Sequence, residues 1–417
     1  MTRGLLRSAA LAAFMVSASL GASLPGWAAQ TLQFSTWQAE EGGFGVFWGE
    51  VVAAFEKAHP DIDISVVQIP YSEYVNQMTI RFASGQAPQI IQLPYEFLGV
   101  FAAQDWFDAL DDKIKGSVVD TNWSSLQSEM NWNGKTVGVL MTSGAVVLFY
   151  NEKLLADAGV ALPTSYDEYM ASLPKLTDRD KGVFGVSAVT AQHPTIAHEF
   201  MRTIHWSGQQ LIKDGQYNLT DPAVIAAFER YRTTIKASAA LGFNSSMSRQ
   251  AFADGKSAFM IDGPWVYSII ATAPEDVRPH LKIMKPPFPV ALGGAAQSLH
   301  IAAGLDPETR DAAWSFIEFL TQKEWQERWT VLTTAPTGLN GVLTPELAKE
   351  HPQLEVVNAA SEGVRPTFPS DTGIRSNLNE FTQILMRSGV RLLSTEDPTA
   401  DVLAETQAEL ERTFPLE

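Results

Sequence analysis

Beyond its first residues, the chain alternates between two spacings of apolar side chains. Residues 31–36 and 62–66 carry them at every second position, which predicts β-strands. Residues 47–58 and 74–82 carry them at every third or fourth position, which predicts helices. A short apolar run at 90–91 follows the second helix. Strand, helix, strand, helix, strand in this order is typical of a parallel α/β sheet.

A second series of elements predicts a second unit. Residues 146–150 begin it as a strand, and the capping box at 165–168 opens a helix. Residues 221–222 are an aspartate cap and a first-turn proline, and the pattern after Pro307 is mainly helical. A chain of 417 residues exceeds what one hydrophobic core usually supports, so we expect two lobes. The proline-rich run at 285–289 is the best candidate for a crossing between them.

Residues 1–28 have the pattern of a secretory signal peptide. Two arginines supply a basic start, residues 9–24 are apolar or small, and Gly26 and Ala28 suit a cleavage site after Ala28. An uncleaved anchor is the alternative, but serines interrupt the run, and a membrane span needs about 20 apolar residues. Because the chain has no cysteine to carry a lipid, we expect a freely diffusing periplasmic protein.

Charge and composition exclude several classes of function. The formal net charge is −17, from 47 acidic and 30 basic residues. Such an acidic surface repels nucleic acid and anionic lipid, so we expect neither as a partner. The absence of cysteine excludes disulfides, thiolate metal sites and a cysteine nucleophile.

Motifs for catalysis and for cofactors are incomplete. Gly255, Lys256 and Ser257 resemble the end of a phosphate-binding loop, but Gln250 stands where the earlier glycine is needed. The histidines at 193 and 198 are not spaced like a helical zinc pair. No Gly-x-Ser-x-Gly elbow occurs. We therefore expect no enzyme, no catalytic residue, no metal and no cofactor.

Five segments carry a resemblance to a known family; they lie at residues 55–62, 82–88, 149–155, 252–265 and 312–320. In their order and spacing the chain resembles the extracellular solute-binding proteins, family 1, of ABC importers, which include maltose-binding protein. One departure is Gln89, since the family often has aspartate at that position.

The resemblance implies a two-lobed, type II-like α/β fold with a hinge and a cleft between the lobes. By similarity, the chain crosses near Leu140, Pro287 and Thr337. The N-terminal lobe would comprise residues 29–139 plus 287–336, and the C-terminal lobe residues 140–286 plus 337–417. A sugar would bind in the cleft of a monomer, and the closed form would dock on inner-membrane permease subunits that work with a cytoplasmic ATPase.

A sugar needs flat aromatic platforms for its C–H face and polar side chains for its hydroxyls. Sheets of α/β proteins bind ligands beyond the carboxyl ends of their strands, and Trp265 and Glu96 each follow a predicted strand at that end. Trp265 also matches the stacking tryptophan of the family, and the loop after the first strand matches one that supplies polar contacts. The candidate ligand-binding residues are Trp37, Glu40, Glu41, Tyr95, Glu96, His198, Trp206, Trp265, Gly293, Gly294, Arg365 and Arg375.

Two alternatives stay open. A binder of glycerol 3-phosphate or a polyol belongs to the same transporter class, although a phosphate would favour clustered arginine or lysine. A secreted glycoside hydrolase would need a carboxylate pair, drawn from Glu40, Glu41, Glu96 and Asp262, but no spacing marks out one pair.

Overall fold

The computed structural model describes residues 29–416, so the predicted signal peptide at 1–28 lies outside the described residues. The strands are β1 (Gln30–Thr36), β2 (Ile62–Gln68), β3 (Ile90–Pro94), β4 (Asn131–Trp132), β5 (Lys135–Thr136), β6 (Val139–Ala145), β7 (Val147–Asn151), β8 (Phe184–Ser187), β9 (Ile212–Lys213), β10 (Gln216–Tyr217), β11 (Ser257–Asp262), β12 (Leu281–Met284), β13 (Leu292–Ile301) and β14 (Arg365–Pro366).

The helices are α1 (Gly42–Ala58), α2 (Tyr71–Ala83), α3 (Leu98–Ala102), α4 (Asp111–Ile114), α5 (Val118–Thr121), α6 (Glu152–Asp157), α7 (Tyr166–Ser172), α8 (Thr195–Trp206), α9 (Pro222–Ser238), α10 (Ser245–Ala253), α11 (Pro307–Leu320), α12 (Lys323–Thr333), α13 (Pro345–Glu350), α14 (Gln353–Ser361), α15 (Thr372–Ser376), α16 (Leu378–Ser394) and α17 (Thr399–Thr413). A longer 3-10 helix, Pro264–Thr272, follows β11.

The first lobe is built on a six-stranded sheet. Its strands run in the order β14-β13-β3-β1-β2, and β6 pairs with β13. β1 is parallel to both β2 and β3, as the alternating pattern of the sequence predicts. β13 is antiparallel to β3 and to β6, so a strand from late in the chain joins two early ones.

The second lobe is built on a four-stranded sheet in the order β12-β7-β11-β8. β11 is parallel to β8 and antiparallel to β7. The chain leaves the first sheet at Ala145 and enters the second at Val147, with a single residue between them. It returns between β12 and β13, where the proline-rich run at 285–289 lies.

The buried apolar residues follow the same division. One cluster draws on residues 32–141 and 299–335 and includes Phe34, Phe55 and Trp329. The other clusters draw on 145–292 and 357–414. Each lobe therefore contains two separated stretches of chain, while the lobe boundaries given above stay a prediction.

Two helix starts show how the sequence sets local structure. Ser165 accepts a hydrogen bond from the backbone N–H of Glu168 at 3.2 Å, and Asp221 accepts one from Ala223 at 2.8 Å. The Glu168 carboxylate differs from the capping-box expectation, because it accepts both the N–H and the hydroxyl of Thr164, each at 2.8 Å. Within residues 29–416, no helix is both long and apolar enough to span a bilayer.

Candidate functional site

The carboxyl ends of the parallel strands position the candidate site on each lobe. β1, β2 and β3 end along one edge of the first sheet, and β8 and β11 end along one edge of the second. Ligands of α/β sheets bind beyond such edges, because the loops there are free to carry polar side chains. The segments that follow these strands, loops and the first turns of helices, contain Glu41, Tyr71, Glu96, His193 and Trp265.

The loop after β1 is held in place by the end of β2. The side chain of Gln68 accepts the backbone N–H of Ala39 at 3.0 Å and donates to the carbonyl of Trp37 at 2.8 Å. Glu41, which precedes α1, is thereby fixed at the rim of the first lobe, where its side chain is exposed. Glu40 is exposed beside it.

A tyrosine that follows β2 and a glutamate that follows β3, the strands on either side of β1, meet on the first lobe. The Tyr71 hydroxyl donates to Glu96 Oε1 at 2.9 Å, and 46% of the surface of Tyr71 remains exposed. Burial raises the pKa of the Glu96 carboxyl, and the hydrogen bond from Tyr71 opposes that rise. Tyr71 is not among the predicted site residues, although it follows the end of β2 just as the predicted Glu96 follows the end of β3.

Beneath this rim lies a buried amide network. Gln92 Nε2 donates to Gln38 Oε1 at 2.7 Å and to Gln297 Oε1 at 2.8 Å, and its own Oε1 accepts the hydroxyl of Thr36. The Tyr74 hydroxyl donates to the Gln92 carbonyl at 2.5 Å. These bonds join β1, β3 and β13, so they give the cleft a rigid floor on the side of the first lobe.

On the second lobe, an arginine is held by the last residue of β11. Arg249 Nε donates to Asp262 Oδ2 at 2.8 Å, and Arg249 Nη2 donates to Asp262 Oδ1 at 3.2 Å. The backbone N–H of Gly263 donates to the same carboxylate at 2.7 Å. A bidentate pair fixes the plane of the guanidinium as well as its position. Arg249 is not among the predicted site residues, because it lies on α10 and not at the end of a strand.

Trp265 lies beside this pair. It is 36% exposed, unlike most tryptophans of the chain, and its ring packs over Gly263 so closely that a Cβ at that position would overlap it. The indole therefore presents one surface to solvent and rests on backbone with the other. This is the geometry that an aromatic platform for a sugar requires.

The two rims face each other. Desolvation raises the pKa of the Glu41 carboxyl, and the charge of Arg249 opposes that rise. Burial lowers the pKa of Arg249, but Asp262 and then Glu41 raise it above its ordinary value. At one end, α12 of the first lobe contacts the 3-10 helix that carries Trp265. Together these observations define a cleft between the lobes.

A second cluster joins the lobes through Arg375. Its guanidinium carbon lies 5.7 Å from the ring centroid of Tyr95 and 5.4 Å from that of Trp132, and Nη2 donates to the Glu129 carbonyl at 3.4 Å. Burial raises the pKa of the Tyr95 hydroxyl, and the charge of Glu129 raises it further. A Cβ on Gly294, whose φ is +112°, would lie 3.7 Å from both Glu129 carboxylate oxygens. The structure thus brings together Tyr95, Gly294 and Arg375.

His198 packs against an aromatic ring, whereas Arg365 lies on the surface. The His198 ring packs against Phe368 with centroids 4.7 Å apart. Burial lowers its pKa to about 3, with the charge of Arg202 adding to the effect, so the ring is neutral at physiological pH. Arg365 is exposed on β14.

Three further candidates have packing that favours a structural role. Trp37 is 5% exposed and packs edge-on against Tyr74, and Trp206 is 4% exposed and donates its indole N–H to Val290. A Cβ on Gly293 would overlap the carbonyl oxygen of β6 that it faces, so this glycine permits the close crossing of β13 and β6. Contact of these three residues with a solute stays a prediction.

Two α/β lobes around a cleft rimmed by an aromatic platform and fixed polar groups form a solute-binding protein. The family model for bacterial extracellular solute-binding proteins matches residues 38–327, and the chain belongs to that family. The predicted family and fold are therefore confirmed.

Relatives that are binding proteins share a low sequence identity with this chain. A binding protein of Brucella abortus (strain 2308) is 23% identical over 299 residues, which cover 69% of this chain and 71% of that protein. The galactooligosaccharide-binding protein of Bacillus subtilis (strain 168) is 27% identical over 241 residues, covering 55% of this chain and 54% of that one.

Solved structures share the fold. Maltose-bound MalE3 of T. maritima superposes with a TM-score of 0.81 at 19% identity, over 92% of this chain and 100% of that one. UgpB of Mycobacterium tuberculosis in complex with glycerophosphocholine gives a TM-score of 0.79 at 20% identity, over 92% of this chain and 98% of that one. At these identities the likeness concerns the fold alone.

Proposed function

We propose that this protein is the substrate-binding component of an ABC importer that captures a sugar or oligosaccharide in the cleft between its lobes. The galactooligosaccharide-binding relative from Bacillus subtilis and the maltose complex of MalE3 support this class of solute. Import would follow when the closed form delivers the solute to permease subunits in the inner membrane, which are driven by a cytoplasmic ATPase. The predicted signal peptide would direct the chain to the periplasm.

One observation carries the proposal: a half-exposed indole on one rim faces polar acceptors on the other. Trp265 offers a flat apolar surface of the size of a pyranose face. Glu41 and Glu96, across the cleft, are acceptors for hydroxyl groups. A solute that touches both rims stabilises the closed arrangement over the open one, and this differential contact drives the closure.

No reaction is proposed for the cleft. A glycosidase needs one carboxyl group free to protonate the leaving oxygen and a second free to act as base or nucleophile. Here Asp262 is engaged by both nitrogens of its pair with Arg249, and Glu96 accepts the Tyr71 hydroxyl. These contacts support binding without turnover.

The test is calorimetry on protein 29–417, unfolded and refolded first so that no co-purified solute remains. The probes are maltose, maltotriose, raffinose, galactooligosaccharides, ribitol and glycerophosphocholine. We expect saturable heat and a change in tryptophan fluorescence with at least one sugar. Chromatography of the same mixtures after a long incubation should return the sugar unchanged. Absence of binding to every sugar, or conversion of any of them, would contradict the proposal.

A further inference from the structure

The guanidinium of Arg249 has an edge without a protein partner. Nε and Nη2 are engaged by Asp262, whereas Nη1 makes no hydrogen bond to any residue in the range 29–416. The side chain is 34% exposed, so solvent reaches it. Guanidinium nitrogens are strong donors, and an unused pair of N–H groups on a fixed plane is available to a solute.

The position of this edge is set by several contacts. Asp262 is the last residue of β11, and its carboxylate also accepts the Gly263 N–H at 2.7 Å. The strand, the turn and α10 therefore hold the guanidinium together. Because the group is already ordered, a hydrogen bond from Nη1 to a solute costs little side-chain entropy.

Glu41 stands opposite, on the other lobe. The charge of each residue shifts the pKa of the other, yet the Glu41 carboxylate and the Arg249 guanidinium form no direct ion pair. Space therefore remains between a donor on one rim and an acceptor on the other. A pair of neighbouring hydroxyls on one solute can satisfy both, since one accepts from Nη1 and the other donates to the Glu41 carboxylate.

More negative than positive side chains surround this space. Glu41, Glu96, Asp262 and Glu129 are carboxylates, whereas Arg249, beside Asp262, and Arg375, beside Tyr95, are the cations that the structure places among them. Burial and then the charge of Arg249 lower the pKa of the neighbouring His193, so this ring adds no positive charge at neutral pH. An anionic solute would enter against a net negative field, which a partly buried cleft screens poorly.

We propose that Arg249, held by Asp262 and facing Glu41, donates a hydrogen bond to a hydroxyl of the solute, and that the surrounding carboxylates, which outnumber the cations, restrict the site to uncharged, hydroxyl-rich solutes. The inference rests on the proposed function and narrows its substrate class. It separates neutral sugars and polyols from their phosphorylated or carboxylated counterparts. Rejection by like charge is a general means of specificity, because it weakens the wrong ligand without strengthening the right one.

The test compares neutral probes with anionic counterparts by calorimetry. The pairs are maltose with maltobionate, ribitol with ribitol 5-phosphate, and glycerol with glycerol 3-phosphate. The tightest neutral sugar of the panel above serves as the reference probe. We expect at least tenfold tighter binding of the neutral member wherever a pair binds. E41Q should raise the relative affinity of the anionic member severalfold, because it removes one repelling charge.

Variants of the arginine test its contact with the solute. R249Q should weaken the reference probe about 10- to 100-fold, because a fixed charged donor is lost. R249K should recover only part of this loss, since lysine keeps the charge but not the fork. R230Q is the matched control, because Arg230 pairs with Asp167 on the exposed surface of the same lobe. Melting temperatures of all variants separate lost contact from lost folding.

The possible failures are distinguishable. If R249Q binds the reference probe as tightly as the parent, the inference is wrong while sugar binding stands. If an anionic member binds more tightly than its neutral partner, the inference is wrong and the glycerol phosphate alternative gains. If every neutral sugar fails to bind, the proposed function is wrong, and the inference fails with it.

Discussion

Replacing Trp265 by alanine removes the proposed platform and should weaken solute binding by a calculable amount. The residue is 36% exposed, and a tryptophan presents up to about 250 Å² of surface, so about 90 Å² is left for a solute to cover. At about 25 cal/mol per Å² this area contributes about 2 kcal/mol of binding free energy. The dissociation constant should therefore rise about 30-fold.

Calorimetry with the tightest sugar of the panel measures this change directly. W265F should retain much of the affinity, because a smaller ring still stacks. L162A is the matched control, since Leu162 is 42% exposed on the same lobe, between α6 and α7, and follows β7, which runs antiparallel to β11 and so ends at the opposite edge of the sheet. If W265A binds within twofold of the parent and its melting temperature is unchanged, the indole does not stack on the solute and the reasoning fails.

Three further predictions concern the backbone and the buried core. Gly263→Ala should reduce affinity as W265A does, because the new Cβ must displace the Trp265 ring; unchanged affinity would mean that the ring position is unimportant. Gly293→Ala should lower the melting temperature by many degrees, because the Cβ overlaps backbone of β6, whereas Gly49→Ala, with open space on α1, should stabilise the protein by about 0.5–1 kcal/mol; equal melting temperatures would contradict this. Burial lowers the pKa of His300 to about 4, and the ordinary histidine pKa is near 6.5. Between pH 6.5 and 4 the unfolded chain therefore binds a proton at this histidine that the folded chain does not bind. The free energy of unfolding should fall by up to about 3 kcal/mol across this interval. Urea unfolding at pH 7 and 4.5 measures the fall, and His300→Gln should reduce it; an identical pH slope in the variant would refute the assignment.

Local structure could be predicted well from the sequence. The strands at 31–36 and 62–66 and the helix starts at Ser165 and Asp221 depend on neighbouring residues, and the structure has each of them. The carboxyl-end rule also pointed to Trp265, because the rule needs only the end of a strand.

The assembled site was harder to predict, because it depends on contacts between distant segments. Arg249 reaches the cleft only through its pair with Asp262, and nothing in the local pattern of α10 indicates a ligand. Arg375 and Tyr95 were each predicted, but their contact needs α15 to pack on α3 of the other lobe. Trp37 and Trp206 look like platforms in the sequence, and only tertiary packing shows that their rings are covered.

The amide network under the first lobe has a bearing on the hinge. Gln297 lies on β13, beside the bulge where its pairing with β6 shifts register. Gln92 ties this irregular point to β3 and β1. β13, the strand that follows the crossing at 285–289, is therefore anchored firmly in the first lobe.

The place of β13 in the first sheet delays completion of that sheet until the second sheet has been synthesised. All four strands of the second sheet leave the ribosome before β13 (residues 292–301). β3 and β6, the two strands that β13 pairs with on either side, are made much earlier. Until β13 is made, the first sheet has an open gap at its centre and two unpaired strand edges, which are prone to wrong pairing. The sheet that is begun first is thus closed after the second sheet has been made, and a nascent chain shorter than about 300 residues stays incompletely folded.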